Sequence, residues 1–132
     1  MMEQVRIEEF VRDGKSFIYI DFSNLKTNEE FIELLKVIEP AFAKYPKHSL
    51  YTITNIENVR IDSESKKIIA QYLEHNKPYV KCGAVIGLDG IKKIIVTTAL
   101  KLSGRDNIFF AFTKEQAVEL LLQKELVAQS AN

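Results

Sequence analysis

The feature that most constrains this chain is an alternation of periods. Short apolar runs of strand length are separated by longer segments whose apolar residues recur at helical spacing. Val80 to Ile86 is the clearest run. It barely alternates between apolar and polar, as a strand covered on both faces does. Phe31, Leu34, Leu35, Ile38 and Phe42 are the clearest stripe of the other kind. Strands separated by helices of that length cannot pair as hairpins. They return in parallel, through right-handed crossovers.

One hairpin precedes the alternation. Val5 to Val11 alternates imperfectly, Asp13-Gly14 is a turn signal, and Phe17 to Phe22 is the return strand. Thr27 and Glu30 then fit a capping box for a first helix. Pro40 is expected to kink that helix and Pro46 to end it. Ser49 to Asn55 reads as the next strand. Asp62 or Ser63 caps a second helix, whose apolar face holds Ile68, Ile69, Tyr72 and Leu73. Asn76 is its expected C-terminal cap, and Pro78 prevents continuation. Gly87 to Gly90 leads from the strand Val80 to Ile86 into a third helix ending near Ser103-Gly104. Ile108 to Phe112 is a wholly apolar strand. Thr113 and Gln116 cap a last helix carrying Ala117, Leu120 and Leu121.

The expected order is β-β-α-β-α-β-α-β-α. That is an α/β fold with a mixed sheet of about five strands, antiparallel at its first edge, with helices packed on the sheet. A length of 132 residues fits one domain, 1–132, able to bury a core without staples. Eighteen basic residues balance eighteen acidic ones, which removes any global field for nucleic acid or an anionic membrane and leaves only local patches. Cys82 is the one cysteine, so no internal disulfide and no cysteine metal knuckle are expected; a buried thiol is. No apolar leader precedes Val5, and no run approaches membrane-spanning length. The expected setting is cytoplasmic.

Three stretches carry a family resemblance. They are Phe17-Ile18-Tyr19-Ile20-Asp21-Phe22-Ser23, then Asn58-Val59-Arg60-Ile61-Asp62-Ser63, then Asn76-Lys77-Pro78-Tyr79-Val80-Lys81 with Gly87-Leu88-Asp89-Gly90 after its strand. With the element order, they resemble the STAS domain, and more narrowly the SpoIIAA-like branch of small anti-sigma-factor antagonists. The resemblance runs from Val5 to Leu122. It implies a non-enzymatic signalling domain that binds a protein partner, a kinase or an anti-sigma-like factor. In that family a Ser in an Asp-Ser-Ser-Gly turn accepts phosphate. Here the matching stretch is Asp62-Ser63-Glu64-Ser65, so Glu64 and Ser65 replace the second Ser and the Gly.

Ser63 is therefore the candidate phosphoacceptor, because the free amides and positive dipole end of a helix favour an anion. Plain capping by Asp62 or Ser63 is the competing reading. Asp21, Asn55 and Asp62 are candidates for the rim of an interaction site, although Asp21 also fits a simple Asx turn. Gly87 and Gly90, followed by Lys92-Lys93, form a candidate anion-binding turn, but the phosphate-loop spacing and its Lys-Ser/Thr ending are missing. A tight turn that needs glycine is the preferred reading of these residues. No cofactor motif stands out. His48 and His75 lack ligand spacing, apart from Glu74 beside His75, so no metal site is expected. No nucleophile elbow is present, and the thiol lacks a positioned base. Lys81 and Arg105 read as solvated charges. Ile91, Ile94, Ile95, Val96, Leu100 and Leu102 exceed one clean stripe, which suggests a homodimer face or a groove for a lipid. A carrier of small apolar ligands is accordingly the second functional expectation.

Overall fold

Asp13 and Gly14 both take positive φ, 54° and 75°, which matches the twist of a two-residue hairpin turn. That turn fixes Arg12 opposite Lys15 and pairs β1 (Ile7–Arg12) antiparallel with β2 (Lys15–Asp21). The structure is a computed structural model that describes residues 6–130, with side chains through Lys124. Val5, the expected first strand residue, lies outside that range.

After the hairpin come α1 (Asn28–Phe42), β3 (Leu50–Asn55), α2 (Ser63–Asn76), β4 (Val80–Ile86), α3 (Gly90–Leu102), β5 (Ile108–Phe110) and α4 (Lys114–Ser130). The sheet order is β1-β2-β3-β4-β5. Strands β2 to β5 run parallel, so the sheet is mixed with one antiparallel edge. Each parallel strand is added on the same side of the one before. Right-handed crossovers then place all connecting helices on one face.

Strand alternation sorts the core accordingly. Ile18, Ile20, Leu50 and Val85 point to the face packed by α1, α2 and α3. Phe17, Tyr51, Ile53, Cys82 and Ala84 point to the other, packed by Ala117, Val118 and Leu121 of α4. One helix covers little of a five-stranded sheet. Its flanks are closed by lysines over aromatic rings, Lys114 at 4.7 Å from Tyr19 and Lys124 at 4.7 Å from Phe109.

Several local expectations need correction. Helix α1 runs through Pro40 and ends at Phe42, four residues short of Pro46. The amide of Tyr45 folds back to the Phe42 carbonyl at 3.1 Å, and the Tyr45 hydroxyl bonds Glu9 on β1, which draws the chain off the helix axis. Strand β5 stops at Phe110, leaving Phe112 in the loop to α4. Thr113 caps α4 by accepting from the Gln116 amide at 3.1 Å, as the spacing suggested, but Leu120 is only partly buried.

Asn76 does not cap α2. It is the last helical residue, it is buried, and Lys77 follows as the cap. Nor is Arg105 solvated. It is buried, and Nη1 donates to the Leu73 carbonyl and to Asn76 Oδ1, each at 2.6 Å. A charged side chain thus closes the carboxyl end of a helix from inside, where the helix dipole favours a cation.

Candidate functional site

In open parallel sheets, ligands gather beyond the carboxyl ends of the strands where the strand order reverses. Here the strand order never reverses. The exits of β2, β3 and β4 lace together, and a groove of about 360 Å³ lies between the exits of β4 and β5, lined by Gly87, Leu88, Lys93, Phe110 and Phe112. Phe22 donates its amide to the Asn55 carbonyl at 2.8 Å, Asn24 to Glu57 at 3.0 Å, and Ile56 to Ile86 at 3.0 Å.

Two of these exits are built alike. Asp21 Oδ1 accepts from the Ser23 amide at 2.8 Å, and Asn55 Oδ1 accepts from the Glu57 amide at 2.9 Å. Both are Asx turns. Each is followed by a left-handed asparagine, Asn24 with φ 67° and Asn58 with φ 56°. The asparagines bond each other, Nδ2 of Asn58 to Oδ1 of Asn24 at 2.7 Å. The buried residues that follow, Leu25 and Val59, anchor each turn in the core. Periodicity and turn signals do not reveal this duplicated exit. Its signal was present, however, as Asp21-Phe22-Ser23-Asn24-Leu25 and Asn55-Ile56-Glu57-Asn58-Val59.

Asp21 and Asn55 are register partners at the rim. Alternation from Phe17 and Ile53 puts both on the α4 side, and Asn55 donates to the Tyr19 hydroxyl there at 3.0 Å. Ser63 begins α2, on the opposite face of the sheet. The structure therefore brings Asp21 and Asn55 together as neighbours, while Ser63 stands at the head of the helix that follows β3.

At the head of α2 the cap is Asp62. Its Oδ1 accepts from the amides of Glu64 at 3.1 Å and Ser65 at 2.9 Å. Ser65 Oγ also reaches Asn28 Oδ1 of α1 at 2.8 Å, tying the two helix heads together. The Ser65 amide and hydroxyl hold the Asp62 carboxyl below its ordinary range, with the Glu64 amide and the Arg60 charge adding to the effect. The capping role is thus filled, and the Ser63 side chain is exposed.

Gly87 is required by close approach. Its φ is 82°, and an added Cβ would lie 2.5 Å from the Glu57 amide nitrogen. Gly90 is the first residue of α3, and an added Cβ there would meet nothing within 4 Å. The anion position at the head of α3 is filled by Asp89, which accepts from the Lys92 amide at 2.9 Å. Lys92 Nζ turns to the Ile56 carbonyl at 3.5 Å, and Lys93 lies over the Phe110 ring. Lys92 Nζ also stands 3.8 Å from Asp89 Oδ2, so its charge at this turn already has a partner, and of the two glycines Gly87 is the one the close approach requires.

His75 meets Glu39 across the α1–α2 contact at 3.4 Å, rather than its chain neighbour Glu74. Among the described residues no group of three metal-ligating side chains occurs, and no helix is long and apolar enough to cross a membrane.

Between the sheet and the three crossover helices lies a cavity of about 30 Å³, lined by Phe22, Thr54, Tyr72, Asn76 and Val96 among others. That is room for one or two water molecules. A bound apolar ligand of ordinary size occupies roughly 300 Å³ or more. The Tyr72 and Thr54 hydroxyls stand 3.4 Å apart at its wall. Burial pushes the Tyr72 phenol up to about 12, against smaller opposing effects of Thr54, Arg105 and Asn76.

No family model matches the chain, and no curated protein matches it in sequence.

Proposed function

We propose that the chain is a non-enzymatic regulatory domain that works by binding a protein partner, in the manner of the STAS-type anti-sigma-factor antagonists it resembles. Ser63 is the residue at which partner contact and phosphorylation would meet. The partner is a kinase or an anti-sigma-like factor, and the setting is cytoplasmic.

One observation carries this reading: Asp62 caps α2, so the exposed Ser63 hydroxyl is left out of the capping bonds. A phosphate on Ser63 would sit at a helix head, which favours an anion. It would also stand beside Asp62 and Glu64, which repel it, and would compete with Asp62 for the Glu64 and Ser65 amides. Modification would therefore re-form the first turn of α2 and its tie to Asn28, changing the surface a partner meets. The lacing of the β2, β3 and β4 exits gives a continuous surface beside the head of α2, which supports contact with a protein partner there.

The test is to incubate the full chain with cell extract and ATP and to map the phosphorylated residues by mass spectrometry. Label at Ser63, with loss of a co-purifying partner in Ser63→Asp, is the expected result. Label at other residues and never at Ser63 overturns the phosphoregulated form of the proposal.

A further inference from the structure

Strand β1, six residues long, is one edge of the sheet, and β5, three residues long, is the other. The Asp21 amide donates to the Arg6 carbonyl at 2.7 Å, so these two residues form a hydrogen-bonded pair. Such pairs alternate along an antiparallel ladder. In the observed register Glu8, Phe10 and Arg12 therefore turn their backbone groups to β2. The backbone groups of Ile7, Glu9 and Val11 turn outward, and among the described residues no strand lies beyond them. An edge of this kind is a template for another strand.

The side chains along the edge have an order of their own. Glu8, Phe10 and Arg12 share the α4 face. There Phe10 stacks on Phe17 with ring centroids 5.1 Å apart, Glu8 meets Lys114, and Arg12 meets Glu115 at 3.1 Å. On the opposite face Glu9 is held by the Tyr45 hydroxyl and by Lys44 at 3.3 Å, while Val11 is 68% exposed.

We infer that β1 pairs antiparallel with β1 of a second copy, about a two-fold axis perpendicular to the sheet, with Phe10 opposite the partner's Phe10. The charges select this register. Centred on Glu8, Glu9 or Arg12, the pair sets that residue against itself. Centred on Val11, it sets Glu9 against Asp13. Like charges directly opposite are unfavourable. Centred on Phe10, it sets Glu8 opposite the partner's Arg12, and Glu9 and Val11 exchange backbone hydrogen bonds across the axis. Phe10 and the Glu8–Arg12 contacts then fall at the non-hydrogen-bonded positions, where side chains approach closest. The pairs within each copy join end to end with alternating sign, from Glu115 to Arg12, to the partner's Glu8 and to the partner's Lys114. The contact is short, so the dimer is a weak one. This assignment is independent of the role proposed for Ser63.

Mixing two single variants of the full chain tests the register. Glu8→Cys and Arg12→Cys alter exposed positions. Together they should form a mixed disulfide dimer on mild oxidation, and neither should cross-link with itself, because facing residues of a strand pair lie within disulfide reach and the next such positions do not. Cys82 is buried and stays out of this reaction. Light scattering of the parent chain should show a mass that climbs from monomer toward dimer with concentration. Val11→Pro removes an outward amide that β2 does not use, so the fold should persist, as circular dichroism verifies. Its self-association should be about tenfold weaker or less, because two hydrogen bonds across the axis are lost. Absence of the mixed disulfide, or a parent chain that stays monomeric up to its solubility limit, overturns the inference. So does a dimer that a folded Val11→Pro leaves intact, because the contact then lies on another face.

Discussion

Arg105 Nη1 stands 2.6 Å from Asn76 Oδ1, an arginine just before β5 locked to the last residue of α2. The same nitrogen takes the Leu73 carbonyl, and Nε donates to Asn107 Oδ1 at 3.0 Å. The side chain thus joins the end of α2 to the start of β5. It is a cation held by neutral oxygens in a site where burial works against its charge.

Truncating that partner should be costly. Asn76→Ala leaves the buried guanidinium short of an acceptor and should destabilise the fold by about 2–3 kcal/mol. Arg105→Met removes the charge together with its desolvation and should cost less than Arg105→Ala, which also opens a cavity. Urea unfolding curves read both comparisons. Equal midpoints for Asn76→Ala and the parent chain would contradict this view of the contact.

The two glycines around α3 should behave oppositely. Gly87→Ala forces a side chain into left-handed backbone and against Glu57, and should cost about 2–3 kcal/mol. Gly90→Ala fills open space in a helical position and should be neutral or stabilising by up to about 1 kcal/mol. Thermal melts of the two variants separate a glycine needed for approach from one that is not.

Asp62 should make stability depend on pH on the acid side. Its folded pKa lies below the ordinary 3.8, so the unfolded chain takes up the proton first as pH falls. The stabilisation is complete above the unfolded value and is lost as pH drops through the folded one. Asp62→Asn keeps an acceptor for the cap and should flatten this part of the stability profile. Asp62→Ala should lower the melting temperature at neutral pH as well. Denaturant midpoints measured from pH 2 to 6 check the sign.

Tyr72 and Tyr45 should ionise late, each at about 12, with burial the largest cause in both. Because the unfolded phenols ionise near 10, stability should fall as pH rises from about 10 toward 12. Tyr72→Phe should remove part of that fall and cost about 1 kcal/mol at neutral pH. Tyrosinate absorbance during an alkaline titration gives the ionisation order directly.

Much of the fold is legible before the structure because its signals are local. The Asp13-Gly14 turn, the Thr27–Glu30 box and the largely apolar run from Val80 to Ile86 each act within a few residues, and each is found where expected. The end of α1 is less legible. Pro46 looks like the stop, but contacts of Tyr45 with β1, distant in sequence, end the helix earlier. The candidate site is legible only in part. Ser63 could be placed at a helix head, yet whether it or Asp62 makes the cap depends on which side chain reaches the Glu64 and Ser65 amides. The matched exits at Asp21 and Asn55 were visible as residues but not as a pair. Their equivalence appears once β2 and β3 lie side by side.

By itself, then, the sequence determined the element order, the parallel run of strands after one hairpin and the position of each helix head. Periodicity and capping follow from the nearest neighbours along the chain. Tertiary structure alone decided the rest: Arg105 buried instead of solvated, Asp21 and Asn55 side by side at the rim, and Ile91, Ile94 and Leu102 of α3 left exposed. Each depends on which elements meet across the sheet. The side-chain period of two sends neighbouring residues to opposite faces, so rim residues from different elements share a surface only if register and packing bring them there.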